Sequence, residues 1–459
     1  MLQFPKDFIW GTSTSAYQIE GAWNKDGKGP SVWDAFCTIP GRTHKGESAQ
    51  VTCDHYHRYK EDIQLMKAMG LKVYRFSISW SRIMPTGRGK INEEGIKFYS
   101  DLVDECLANG IEPWAALNHF DLPLALEFEL DGWTNPQVQD LFADYAEVCF
   151  QRLGDRIKTW ITFNEAWVVA MLCYGLGIFA PGKTSNSLPY QAGHNLLLAH
   201  AKAYRVYDEK FRPTQKGKIG ITNNCDWREP LTDSQADKDA AQRALEFFFG
   251  WMTDPIFFGD YPQSMIERVK ERLPRFTPEE SALIKGSTDF IGLNHYTTFM
   301  AEHVSENLKA SMPYSNSGIA EDQDVNLSTR PQWEITDMKW PVVPEGLYKM
   351  LKWIDERYDR PIIYITENGC AVPDKVENGQ VNDTRRINYL EGYISNCHKA
   401  MKEGVDVRGY FVWSFLDNFE WTLGYQMRFG LHYIVPETLE RIPKASAKWF
   451  KKVIEQNGF

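Results

Sequence analysis

Apolar and β-branched residues gather in short dense runs along this chain, and longer stretches with helical spacing lie between them. The densest run is Ile362-Ile363-Tyr364-Ile365-Thr366, whose length and composition suit a strand buried on both faces. It delivers a carboxylate, Glu367, and stops at Asn368-Gly369, a turn pair. Residues 158–165 repeat the shape: Lys-Thr-Trp-Ile-Thr-Phe-Asn, again closed by a carboxylate, Glu165. The same pattern predicts a first strand from Phe8 into a loop of small polar residues, and strands over 72–80, 111–119, 218–222, 289–297 and 408–414.

Helical spacing fills the intervals. It runs over 54–70 through Tyr56, Tyr59, Ile63 and Met66, and over 93–110 through Ile96, Tyr99, Val103 and Leu107. Asn135 reads as the cap of a helix with Pro136 in its first turn and Gly154 at its end; further helices are predicted over 237–249 and 384–404. Eight strands alternating with helices imply an α/β chain built on a parallel sheet, closed or doubly wound. No Ser/Gly/Pro-rich spacer, charge block or low-complexity run divides the 459 residues. One (β/α)8 barrel over 1–459, extended by long loops after its strands, accounts for that length better than several domains.

Composition narrows the partners. The net charge of −10, from 51 basic and 61 acidic residues, argues against nucleic acid. No apolar run is long enough to span a bilayer, and no basic-then-apolar leader is visible at the start. The eight cysteines are scattered, as in a reduced protein, so a cytoplasmic location is expected. Cys53, Asp54, His55 and His57 crowd one stretch, but on a helix residues two apart face different sides, so no metal is expected there. There is no Gly-rich phosphate loop, no dinucleotide fingerprint and no G-x-S-x-G elbow, and no cofactor is expected.

The predicted strand ends carry the chemistry. In order they offer Gln18, Arg75, His119, Asn164 with Glu165, Asn294 with Tyr296, Glu367, and Trp413 followed by Glu420-Trp421. A set of polar residues at strand ends marks the catalytic face of such a barrel. Amides, an imidazole, acids and indoles suit a neutral polyhydroxylated ligand, with hydroxyls hydrogen-bonded and a flat ring under the sugar's C–H face. Cleaving a glycosidic bond takes two carboxyl groups in opposite states, one protonated and one ionised. Arg75, a charge inside a predicted strand, needs a partner; an active-site carboxylate and a structural ion pair are both open. Tyr296 can donate to the same carboxylate, and Asn164 can reach a sugar hydroxyl. Spacing does not say which Glu is the acid.

Several long motifs in the same order resemble glycoside hydrolase family 1, the retaining β-glucosidases. They are Phe8-Ile9-Trp10-Gly11 with Ala16-Tyr17-Gln18-Ile19-Glu20-Gly21, Arg75 to Arg82, Thr162-Phe163-Asn164-Glu165, Ile365-Thr366-Glu367-Asn368-Gly369 and Asn418-Phe419-Glu420-Trp421. The resemblance implies Glu165 as acid/base and Glu367 as nucleophile. It implies that Gln18, His119, Asn164, Glu420 and Trp421 bind the sugar, with Trp413 as stacking platform and Tyr296 and Arg75 supporting the nucleophile. Asn294 is grouped with those supports. It further places Trp333 beside the leaving group, and Trp167 and Leu172 at the pocket entrance. Glu165, where thioglucosidases of the family carry Gln, implies an O-glycosidase; Glu420 implies a sugar without phosphate. Phe120, where many members carry Trp, leaves glucose, galactose and fucose open, and Ala166 replaces the usual Pro. The expected reaction is hydrolysis of terminal β-D-glucosyl residues, possible substrates including cellobiose. A transglycosylating glucosyltransferase and a non-catalytic sugar-binding barrel are the alternatives.

Overall fold

The structure, a computed structural model, describes residues 2–304 and 320–459. Eight parallel strands close into a barrel: β1 (Ile9–Ser13), β2 (Val73–Ser77), β3 (Glu112–Asn118), β4 (Thr159–Asn164), β5 (Lys218–Asn224), β6 (Ile291–Asn294), β7 (Ile363–Asn368) and β8 (Val407–Trp413). Each pairs with its sequence neighbours, and β8 pairs with β1 to complete the ring. Helices such as His55–Ala68, Glu93–Ala108, Gln137–Leu153 and Thr384–Lys402 return the chain between strands. Asn135 does serve the start of its helix, its side-chain oxygen accepting from the Gln137 N–H at 2.9 Å.

Several predicted boundaries move. The 72–80 run stops at Ser77, because Trp80–Ile83 turns into a short helix. β5 runs two residues past the predicted end, since Asn223 and Asn224 keep pairing with Leu293 and Asn294. The 289–297 run is split. Asp289 stays outside the strand, bound by Arg212 and by the Ile219 N–H, and the chain leaves the barrel after Asn294. Thr298–His303 then joins a separate sheet with Trp227–Pro230 and Val325–Ser328, three strands the pattern did not foresee.

One end of the barrel is plugged by side chains. Val73, Trp114, Ala116, Ile161, Phe290, Tyr364 and Phe411, drawn from strands far apart in sequence, form one apolar cluster. Trp114 is its centre, with ring centroids 4.8 Å from Tyr364 and 5.0 Å from Phe411. The polar residues of the candidate site lie at the opposite, carboxyl ends of the strands.

Candidate active site

Strict alternation would not place both acids in the lumen. Tyr364 faces the plug and Ile365 the outer core, so Glu367 would follow Ile365 outward. β7 shifts register against β6 between Ile365 and Glu367, and against β8 between Ile365 and Asn368. β4 has a matching shift against β5 between Ile161 and Asn164. Such irregularities re-aim a side chain beside a site. Glu165 itself adopts φ 55°, Phe120 φ 72° and Trp421 φ 49°, left-handed conformations that cost non-glycine residues about 1–3 kcal/mol each. All three line one cavity, which encloses about 930 Å³ counting the part open to solvent.

The two carboxyl groups sit in different hydrogen-bond settings. Glu367 accepts from Arg75 Nη1 at 2.7 Å and from the Tyr296 hydroxyl at 2.6 Å. Among the described residues, Glu165 accepts only a neutral amide N–H, from Asn294 at 2.7 Å. Arg75 is fully buried and its Nη2 donates to Asn164 Oδ1 at 2.6 Å. Asn294 donates to the same oxygen at 3.0 Å, and its own oxygen accepts from Thr366. Two donors therefore fix the Asn164 oxygen, and its amide N–H must point to His119 Nε2 at 3.0 Å. The accepting Nε2 leaves the proton of His119 on Nδ1, which is buried with no partner among the described residues.

The electrostatics follow the contacts. Burial is the largest influence on both acids and pushes both up, but other groups separate them. The Glu367 charge drives Glu165 well above the usual carboxylate range. Arg75 and the Tyr296 hydroxyl draw Glu367 back down. A pair pushed apart in this way has one acid and one base at the same pH. Burial, and then Arg75, hold His119 well below the usual imidazole range, so it is neutral.

Ring and acid groups complete the wall. Trp413 and Trp421 stack near His119, with centroids 5.7 Å and 5.9 Å away, and Phe120 lies 5.0 Å from Trp421. Glu420 lines the cavity with Oε2 buried and unpartnered among the described residues, and burial with the Glu367 charge raises its pKa to about 8. Beneath this wall Asp417 accepts from Lys444 at 2.6 Å, Arg428 at 3.0 Å and the Gly430 N–H at 2.9 Å. Lys444 is fully buried and also meets Asp374, so a buried ion cluster anchors the 417–421 loop.

The profile of glycosyl hydrolase family 1 matches residues 1–459. The chain belongs to that family. β-Glucosidase 44 of Arabidopsis thaliana is 47% identical over 99% of this chain and 91% of its own length. A mutant of a rice β-glucosidase, solved in a covalent complex with Glc, is 42% identical with a TM-score of 0.94, covering 98% of this chain and 99% of that one. The β-glucosidase of Thermotoga maritima in complex with deoxynojirimycin is 41% identical with a TM-score of 0.94, covering both chains completely.

Within this family 1 barrel, the predicted residues Glu165, Glu367, His119, Asn164, Tyr296, Trp413, Glu420 and Trp421 line one cavity, with Trp167 and Leu172. Arg75 and Asn294 lie against its acids, and Arg75 takes the active-site partner rather than a remote ion pair. Two predicted residues fall elsewhere. Both Gln18 amide N–H groups are used within the protein, on Asn418 Oδ1 at 3.1 Å and Phe419 O at 2.9 Å, so Gln18 braces the loop that carries Glu420. Trp333 is not among the lining residues; it packs against Arg330, whose guanidinium is 5.8 Å from its ring. A turn closed by Thr336 N–H to Trp340 O at 2.9 Å brings Trp340 to the wall instead, 5.3 Å from Tyr296. The lining residues Asn224, Asp226 and Phe248 were not foreseen. The signal for two of them was present: Thr222-Asn223-Asn224-Cys225-Asp226 is a polar run closing a barrel strand.

Proposed function

We propose that this chain is a retaining β-glucosidase that releases terminal β-D-glucosyl units, with Glu367 as nucleophile and Glu165 as acid/base. The observation that carries the reading is the unequal support of the two acids: a guanidinium and a phenol on Glu367, one amide on Glu165. The ionised Glu367 oxygen attacks the anomeric carbon while the Glu165 proton passes to the departing oxygen. The glucosyl group is then held as an ester on Glu367. Glu165, now ionised, takes a proton from water as that water displaces the ester. The rice relative's covalent complex with Glc supports this route. His119 Nδ1–H and the free oxygen of Glu420 serve sugar hydroxyls, and Trp413 offers a flat face. Glu420 places a carboxyl group rather than a cation at this wall, so the glycone is a non-phosphorylated sugar; the galactosyl and fucosyl analogues are further substrates to test.

The proposal treats 1–459 as one catalytic barrel, with a neutral glycoside rather than nucleic acid as its partner. Among the described residues no helix is long and apolar enough to cross a membrane. All eight cysteines are buried free thiols, which supports the expectation of a reducing, cytoplasmic location.

Proton NMR of p-nitrophenyl β-D-glucoside during the first minutes of reaction tests the mechanism. The β-anomer of glucose is expected first. The α-anomer appearing first overturns the nucleophile assignment, and absence of glucose release overturns the function.

A further inference from the structure

A second cavity opens between the hairpin 334–342, the loop that follows β7, and the helix Thr384–Lys402. It encloses about 340 Å³ counting the part open to solvent, and among the described residues it shares no lining residue with the catalytic cavity. The hairpin is closed by Val342 N–H on Glu334 O at 2.7 Å and Thr336 N–H on Trp340 O at 2.9 Å, and Asp337 N–H ties it to Ala371 O at 3.1 Å. The floor is apolar: Val342, Cys370, Val372 and the ring of Tyr389, the last three buried. The rim is polar and exposed, with Glu334, Arg385 and Asn388. Arg385 Nε donates to Glu334 at 2.9 Å, so the two charges offset one another. The rim still offers a carboxylate acceptor and amide and guanidinium donors.

That arrangement fits a neutral ligand with an apolar ring and one hydroxyl. A charged ligand meets a rim already compensated, and a sugar would bury hydroxyls against the floor without partners. Two routes lead from the floor to the catalytic groups. The Tyr389 hydroxyl donates to Tyr296 O at 2.7 Å and accepts from Asn368 Nδ2 at 3.1 Å, and so holds the phenol that supports Glu367 and the residue that follows Glu367. The hairpin carries Trp340, which packs 5.3 Å from Tyr296 at the catalytic wall.

We propose that this cavity is a second ligand site, for a small neutral phenol of the kind that cleavage of an aryl glucoside releases, and that its occupation slows catalysis. The slowing rests on the reading of Glu367 as nucleophile; the binding does not. A ring seated on Tyr389 and under the hairpin shifts the hydroxyl that holds the Tyr296 carbonyl, and the contact of Tyr296 with Glu367 loosens.

Fluorine NMR line widths of 4-fluorophenol test the site, with the catalytic cavity occupied by S-linked cellobiose, which is not cleaved. Binding to the wild type is expected with a dissociation constant of about 1 mM. Val372→Phe fills the cavity and abolishes binding. Asn388→Leu, an exposed change on a helix, removes one rim hydrogen bond and weakens binding about 3- to 10-fold. Initial rates without S-linked cellobiose test the coupling: kcat for p-nitrophenyl β-D-glucoside falls in step with phenol occupancy in the wild type and holds steady in Val372→Phe. No binding to the wild type, or binding that neither substitution changes, overturns the site. Purely competitive inhibition overturns the coupling. A wild type that does not cleave the glucoside overturns the proposed function instead, and the titration still decides the cavity.

Discussion

Tyr296→Phe removes one oxygen and leaves the ring in place. That oxygen donates to Glu367 Oε2 at 2.6 Å, and the remaining charged contact, Arg75 on Oε1, is untouched. A hydrogen bond to a charged group contributes about 1.5–3 kcal/mol, and about 1.4 kcal/mol corresponds to one pH unit. Because the phenol stabilises the ionised carboxylate, its loss raises the pKa of Glu367 by about 1–2 units. The acid limb of the pH profile of kcat/KM reports the ionisation of the base in the free enzyme. This limb therefore moves up by that amount. The alkaline limb, governed by loss of the Glu165 proton, stays in place, because Glu367 is ionised there in both proteins. The bell narrows from its acid side alone. Initial rates with p-nitrophenyl β-D-glucoside at subsaturating concentration, between about pH 4 and 9, measure both limbs. The two acids interact, so the limbs belong to the pair, but the asymmetry of the change does not depend on that partition. An acid limb that stays fixed while the alkaline limb moves would refute the assignment of the phenol to the nucleophile.

Glu165→Gln removes the proton donor, so kcat/KM for cellobiose falls about 10²- to 10⁴-fold while 2,4-dinitrophenyl glucoside, which needs no protonation to depart, loses far less; equal losses across a leaving-group series sink the role. Asp226→Asn removes a negative charge that, with burial and Glu367, pushes Glu165 up against the opposing pull of Asn294 and Arg75. Its alkaline limb moves to lower pH by about 0.3–1 unit, and a move to higher pH contradicts the reasoning. Lys444→Met strips the buried cation from Asp374 and Asp417 and lowers urea-unfolding stability by about 3–5 kcal/mol; a loss under about 1 kcal/mol means the cluster does not anchor the loop.

The acids were legible as a pair: either Glu alone reads as structural, but two buried β-type runs far apart in sequence each close on a carboxylate, inside motifs that resemble one family. The barrel was legible because short dense apolar runs, suited to strands buried on both faces, alternate with longer stretches of 3.6-residue spacing. What stayed hidden depends on tertiary pairing. The bulge that turns Glu367 inward, and the register shift in β4 before Glu165, leave no mark in composition. The choice between Trp333 and Trp340 turns on one loop closed by Thr336, which motif spacing alone does not decide. Gln18 has the chemistry of a sugar ligand, yet its two N–H groups are committed to Asn418 and Phe419. Asn224 and Asp226 were passed over because polar residues look like the end of a strand, although pairing with β6 carries β5 on through Asn224.

The one-way character of Arg75 reaches further than the charge it carries. A guanidinium has donors and no acceptor, so every hydrogen bond leading away from it has a fixed direction: into Asn164, and from Asn164 into His119. The network has a single proton arrangement rather than two of similar energy. Its dipoles are therefore poled before a sugar arrives, and reorganisation energy that water would spend turning toward a developing positive carbon is largely absent. A neutron structure would show the signature directly, as a deuteron on His119 Nδ1 and none on Nε2.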